Sequence, residues 1–211
     1  MHTHHSQPDD VIAILNVDPE AYKNESARFV SIGIHPWYIQ EYDVTDIIEK
    51  IKIAAGSENV KAIGESGLDR LAETPMKVQE TVFIKQIEIA EACNKPLIIH
   101  CVKAFDELIR IKKEQQVKTP MIIHGYNNNE QIAEQLIKNG FYLSFGKALL
   151  NENSNAQMVI KKLSWEQLFL ETDNSDLSIN DIYEKAAALK NISVEELKEK
   201  MMLNFKNTFS L

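Results

Sequence analysis

The sequence predicts an α/β fold of the TIM type, a (β/α)8 barrel that is shortened and has a truncated first strand. Three observations predict it. Seven short runs are apolar at nearly every position, which suits parallel strands covered on both faces. Amphipathic stretches separate most of them, and such alternation gives a parallel sheet with crossover helices. Polar, metal-capable residues follow the C-terminal ends of the runs, where barrels of this type build their active sites. A doubly wound open sheet fits less well, because no glycine-rich turn follows an early strand.

In chain order, the first strand is clipped, since Met1 leads directly into His2-Thr3-His4-His5. The complete runs are Val11 to Val17, Phe29 to Ile34, Val60 to Gly64, Pro96 to Ile99, Met121 to Ile123, Phe141 to Ser144 and Leu168 to Leu170. Asp18 to Arg28 is too short for a full helix, so that crossover reads as a loop. Met76 to Asn94 puts Val82, Phe83, Ile87 and Ala90 on one face, with Thr74 as N-cap and Pro75 as first helical residue. Asn129 to Asn139 repeats the pattern and stops at Asn139-Gly140. Ser193 and Glu196 form a capping box before the last helix. With about 26 residues per βα unit the chain is shorter than the ~250 residues usual for the fold.

Composition sets the outer bounds. The 211 residues are 44% hydrophobic and 26% charged, which excludes a disordered, collagen-like or disulfide-scaffold chain. With no repeat or Pro/Gly-rich linker, residues 1–211 read as a single domain. The net charge of −8 repels polyanions overall, so a phosphate ligand needs a local positive focus such as metal ions. Cys93 and Cys101 lack CxxC spacing, which suits a reducing compartment. No apolar run approaches the ~20 residues of a membrane span and no signal peptide opens the chain. A soluble cytoplasmic protein without a membrane partner is expected.

The histidines carry the chemistry. His100 ends Pro-Leu-Ile-Ile, His124 ends Met-Ile-Ile and His35 follows Ser-Ile-Gly-Ile. Glu65 ends Lys-Ala-Ile-Gly, and Glu171 and Asp173 follow Leu-Phe-Leu. Imidazoles and carboxylates bind borderline divalent ions, and His2 and His4 alternate on an extended segment so that both face one side. A carboxylate such as Glu65 can bridge two cations, which together lower the pKa of a shared water. Asp173 can take that proton, ligate a metal, or do both. A tag remnant is the weaker reading of His2-Thr3-His4-His5, because a threonine interrupts it. His5 faces away, Glu171 alternates away from Asp173, and Cys101 reads as buried packing.

Taken together, His2-Thr3-His4, Gly33-Ile34-His35-Pro36, Ile63-Gly64-Glu65-Ser66-Gly67-Leu68-Asp69, Ile99-His100, Ile123-His124 and Glu171-Thr172-Asp173 resemble the TatD-like metal-dependent hydrolases of the amidohydrolase superfamily. Asn204 to Phe209 resembles that family's closing Asn-x-x-x-x-Phe segment, so the likeness spans the chain. The resemblance implies a TIM barrel, one or two divalent ions (Zn, Mn or Mg), and hydrolase activity, often deoxyribonuclease. It implies that His2, His4, Glu65 and Asp173 hold one ion. Glu65 then bridges to a second ion held by His100 and His124. His35 becomes a substrate or supporting group at the mouth, and Asp69 braces its loop.

Departures fall at the first strand and on the substrate side. The missing residues before His2 predict a loose first metal site. Lys103 stands where an arginine is common, and Asn174-Ser175 replaces a residue-proline pair. The leading expectation is phosphodiester hydrolysis, acting like a 3′–5′ exonuclease on nucleic-acid ends. Asp173 and Glu65 are then catalytic, and His35 and Lys103, with Lys147 and Arg70, face phosphate. Against it stand the net charge and the lack of an aromatic-plus-basic stripe for stacking bases. The alternatives are an amidohydrolase or lactonase acting on a small molecule, and a non-catalytic metal-binding protein.

Overall fold

The computed structural model describes residues 1–8, 11–24 and 27–209. The strands are β1 (His2–Thr3), β2 (Ile14–Val17), β3 (Val30–Ile32), β4 (Val60–Asp69), β5 (Leu97–Val102), β6 (Met121–Ile123), β7 (Phe141–Phe145) and β8 (Leu168–Leu170). The helices are α1 (Val44–Ala54), α2 (Met76–Cys93), α3 (Phe105–Glu114), α4 (Glu130–Lys138), α5 (Asn155–Lys162), α6 (Ile179–Lys190) and α7 (Val194–Phe209). They fall into two compact units: Ala13–Met121, and Met1–Ile12 with Ile122–Leu211.

In the unit Ala13–Met121, β2, β3, β4 and β5 pair in parallel, with Val17 opposite Ile32, Ile32 opposite Ile63, and Gly67 opposite His100. Their side chains fill the core because both faces are covered: Ile14, Ile32, Ile63 and Ile98 are fully buried. α2 lays Val82, Phe83, Ile87 and Ala90 inward, as its periodicity predicts, and ends at left-handed Asn94. Its start differs by one residue. Pro75 occupies the N-cap position without a side-chain cap, and buried Gln79 instead donates to the Thr74 carbonyl at 2.7 Å. Between β2 and β3 the described residues hold one short 3-10 helix, Tyr22–Asn24, as the loop reading expects; Glu25 and Ser26 lie outside the described residues.

β4 overturns one expectation. The strand does not stop at Gly64 but runs on to Asp69, with its register against β5 shifting between Ile63 and Ser66. The Gly64–Glu65 peptide is cis. Gly64 and Gly67 sit at φ of +146° and +141°, where a side chain is excluded, and a Cβ on Gly67 would run into the His100 carbonyl. Glycine therefore lets an irregular strand continue where its composition reads as a stop. Glu65 lies within the strand and Asp69 closes it.

In the other unit β7 and β8 pair in parallel, and Tyr126 N beyond β6 donates to the Ser144 carbonyl at 2.8 Å. β1 lies against the end of β8: Asp173 N donates to His2 O at 3.2 Å and His4 N to Asp173 O at 3.1 Å. The first strand is two residues long, as short as the sequence predicts. Asn129 caps α4 through Ile132 N, and Ser193 caps α7 through Glu196 N at 3.1 Å. The closing segment is structural. Asn204 donates to Trp165 O and Leu168 O at the two ends of the turn into β8, and the Phe209 ring packs 5.9 Å from Phe169.

Candidate metal centre

In the unit containing both termini, three imidazoles surround one carboxylate oxygen. Oδ1 of Asp173 lies 3.6 Å from His2 Nε2, 3.5 Å from His4 Nε2 and 3.9 Å from His124 Nδ1. The local fold explains the grouping. The paired backbones of β1 and Asp173 bracket Thr3, so His2 and His4 flank the aspartate on one side, as the alternation predicts. Asp173 itself adopts φ of +52°, a left-handed conformation that Asp and Asn tolerate best. Glu171 turns inward beside it, fully buried. It accepts from Gly125 N at 2.5 Å and from Ser144 Oγ, and its Oε1 lies 3.7 Å from His124 Nδ1.

The unit Ala13–Met121 gathers His35, Glu65 and His100. Glu65 Oε1 is 3.4 Å from His35 Nε2 and 3.4 Å from His100 Nδ1. Asn16 fixes the carboxylate's backbone, accepting from Glu65 N at 2.7 Å. His100 Nε2 lies 2.9 Å from Oδ2 of buried Asp69. Burial would raise the Asp69 pKa, but hydrogen bonds from His100, Leu71 N and Trp37 outweigh it and hold the group below its ordinary value. An ionised Asp69 can only accept, so the proton sits on His100 Nε2 and the Nδ1 lone pair faces Glu65. His35 is the reverse case. Its Nδ1 accepts Trp37 N at 3.2 Å, which puts a proton on Nε2 and makes that atom a donor rather than a ligand.

These spacings fit cation binding. Donors bonded at about 2.0–2.2 Å in a tetrahedral or octahedral shell lie roughly 2.9–3.6 Å apart. The His2, His4 and Asp173 donors at 3.5–3.6 Å, and Glu65 with His100 at 3.4 Å, lie in that range and beyond good hydrogen-bond lengths. His2, His4, Glu65, His100 and Asp173 thus stand in donor clusters, whereas His124, 3.9 Å from Asp173 Oδ1, lies outside that range. Lys103, three residues past His100, is exposed and also left-handed, at φ of +53°. Arg70 is engaged rather than presented: it donates to Lys103 O at 2.7 Å and pairs with Glu107. Burial pushes the Cys101 thiol up to about 12, which fits packing and not nucleophilic chemistry.

Three supporting residues, Trp37, Gln79 and Gln86, escape a motif reading. Asp69, expected to brace its loop, holds the His100 imidazole, and the Trp37 backbone N–H holds that of His35. Gln79 and Gln86, two turns apart on the buried face of α2, hold strand-end backbone. Gln86 bonds Ile34 N at 2.7 Å and Ile34 O at 3.2 Å, just before His35. Gln79 bonds Asp69 N at 2.7 Å and Asp69 O at 2.9 Å. Their signal is a polar residue recurring every seven positions on an otherwise apolar helix face.

A family model described as TatD related DNase matches residues 10–210. The chain belongs to this family. It is 30% identical to the metal-dependent hydrolase YabD of Bacillus subtilis over 87% of this chain and 78% of that protein. It is likewise 30% identical to YcfH of Escherichia coli K12, another metal-dependent hydrolase, over 86% of this chain and 73% of that one. Among solved structures, the TatD homologue YJJV of Escherichia coli K12 superposes with a TM-score of 0.83 at 20% identity, covering 94% of this chain and 86% of the other. That likeness is one of fold, the TIM barrel that the sequence predicts. The TatD chain is accordingly a metal-dependent hydrolase. Among the described residues no helix is long and apolar enough to cross a membrane.

Proposed function

We propose that this TatD-family chain hydrolyses phosphodiesters at nucleic-acid ends, with one or two divalent ions (Zn, Mn or Mg) held by His2, His4, Glu65, His100, His124 and Asp173. The observation that carries the reading is the donor spacing: imidazole nitrogens 3.5 and 3.6 Å from one aspartate oxygen, and Glu65 at 3.4 Å from a lone-pair nitrogen of His100. The family's description as a DNase supports the phosphodiester.

A divalent ion held by these residues would acidify a water and polarise a phosphoryl oxygen. The chain's own residues do the rest. Asp173, with 28% of its side chain exposed, is reached by water and accepts the proton as the nucleophile forms. Glu65, buried and held by Asn16, is the fixed carboxylate of the catalytic pair. His35 offers Nε2–H to a phosphoryl oxygen, and the Lys103 ammonium neutralises phosphate charge. A local cationic focus of this kind answers the chain's net charge of −8.

The test is a 5′-labelled single-stranded oligonucleotide incubated with Mn²⁺-loaded protein beside a panel of lactones and cyclic amides. Stepwise shortening from the end is expected. Lactone or amide cleavage with the DNA intact would replace the phosphodiester by a carbon-centred substrate.

A further inference from the structure

Trp37 is exposed and yet fixed. The residue is 56% exposed, while its indole Nε1–H donates at 2.6 Å to Oδ2 of Asp69, which is 1% exposed. The ring makes T-shaped contacts with His35 at 5.1 Å and with His100 at 5.9 Å between centroids. Tyr38, 45% exposed, lies 5.5 Å from the same His35. Leu71, two residues past Asp69, is 67% exposed and donates its N–H to Asp69 Oδ1 at 2.8 Å. One buried carboxylate therefore orients the His100 ring and anchors an apolar surface beside it.

An exposed tryptophan ordinarily moves among rotamers, and ordering it costs entropy without gaining burial. Here its one polar side-chain atom is satisfied from the protein side, while more than half of the residue stays exposed. A fixed, exposed aromatic surface next to a phosphate-handling histidine is suited to a flat, weakly polar ring attached to that phosphate. Lys103 adds an exposed cation on the segment that follows His100. We propose that Trp37 is the stacking platform for the base of the nucleotide whose phosphodiester is cleaved. This rests on the phosphodiester reading above and deepens it to nucleotide substrates. The fold thus supplies, with one residue two positions past His35, the stacking element that the linear sequence shows no stripe for.

The test compares two chromogenic phosphodiesters, the p-nitrophenyl ester of thymidine 5′-phosphate and methyl p-nitrophenyl phosphate, which has no base. Trp37→Ala is expected to raise KM on the order of tenfold for the thymidine ester alone. Trp37→Phe should restore most of the loss, and bound metal should not change. Equal losses on both substrates, or no loss on either, would overturn the proposal, because a mere cover over His35 and His100 acts on both alike. A binding readout is independent of turnover. In a Trp165→Phe background, which removes the other tryptophan, lying against Lys190 and Lys200, thymidine 5′-phosphate should quench Trp37 emission and ribose 5-phosphate should not. Quenching in a protein that cleaves no phosphodiester would keep the platform and end the phosphodiester reading. Turnover of the thymidine ester without quenching and without a Trp37→Ala effect would do the opposite.

Discussion

Asp69 and His100 form a carboxylate–imidazole pair, Oδ2 to Nε2 at 2.9 Å, which leaves His100 Nδ1 facing Glu65 at 3.4 Å. The aspartate sets the tautomer and angle of the ring that the metal would use. Outer partners of this kind are typically worth about 10–100-fold in metal affinity or activity. Asp69→Asn is expected to lower Zn²⁺ affinity by calorimetry, and kcat/KM with it, within that range, at unchanged far-UV circular dichroism. An unaltered affinity would show that His100 needs no such partner.

Gln79 satisfies the N–H and carbonyl of buried Asp69 and the carbonyl of Thr74. Leucine at this position would fit the apolar helix face but strand those groups, and each buried unsatisfied group costs about 1–3 kcal/mol. Gln79→Leu should therefore lower the urea midpoint clearly, although it adds apolar surface. A midpoint at or above that of the parent would mean that water replaces the side chain without loss.

Gly67→Ala tests the irregular strand. The Cβ would meet the carbonyl of His100 at a φ of +141° that alanine rarely adopts. Loss of several kcal/mol of stability is expected from such a backbone position, roughly 1–3 kcal/mol for the dihedral alone before the collision is added. Thermal melting with bound metal measured on the same sample checks it. A variant that melts like the parent would contradict the close approach of β4 and β5.

Much of this was legible in the sequence because the code was local. Apolar runs mark β6 at Met121–Ile123 and β8 at Leu168–Leu170 to the residue, and strand-end histidines mark the clusters. What escaped depends on the third dimension. The composition of β4 shows a glycine after Ile63 and reads as a stop, whereas pairing with β5 carries the strand to Asp69. Thr74 and Pro75 satisfy the pattern of a helix start, but Pro75 takes the N-cap position with no side-chain cap, and the Thr74 carbonyl accepts from Gln79 of the first turns. Trp37 and Asp69 are 32 positions apart, and no spacing rule links an indole to the carboxylate that holds it.

Glu91 predicts an acid limb of stability unrelated to the donor clusters. Burial raises its pKa, but hydrogen bonds from Thr119 N and Oγ1 and Lys118 N outweigh that and hold it below its ordinary value of 4.5. Its contribution is therefore present above pH 4.5 and lost as the pH falls through the lower folded value. Glu91→Gln should be less stable than the parent at pH 7, with the gap closing as the solution is acidified below 4.5. A gap that widens in acid would reverse the assigned sign.

The most direct measurement is phosphodiester turnover by metal-stripped protein after stoichiometric addition of Mn²⁺, Zn²⁺ or Mg²⁺, with bound metal quantified by mass spectrometry in each sample. Asp173→Asn runs alongside, since asparagine keeps the left-handed backbone that Asp173 adopts. The account predicts that metal restores turnover in the parent and that Asp173→Asn binds metal yet stays inactive. Full activity in the metal-loaded variant, or turnover in the stripped parent, would contradict it.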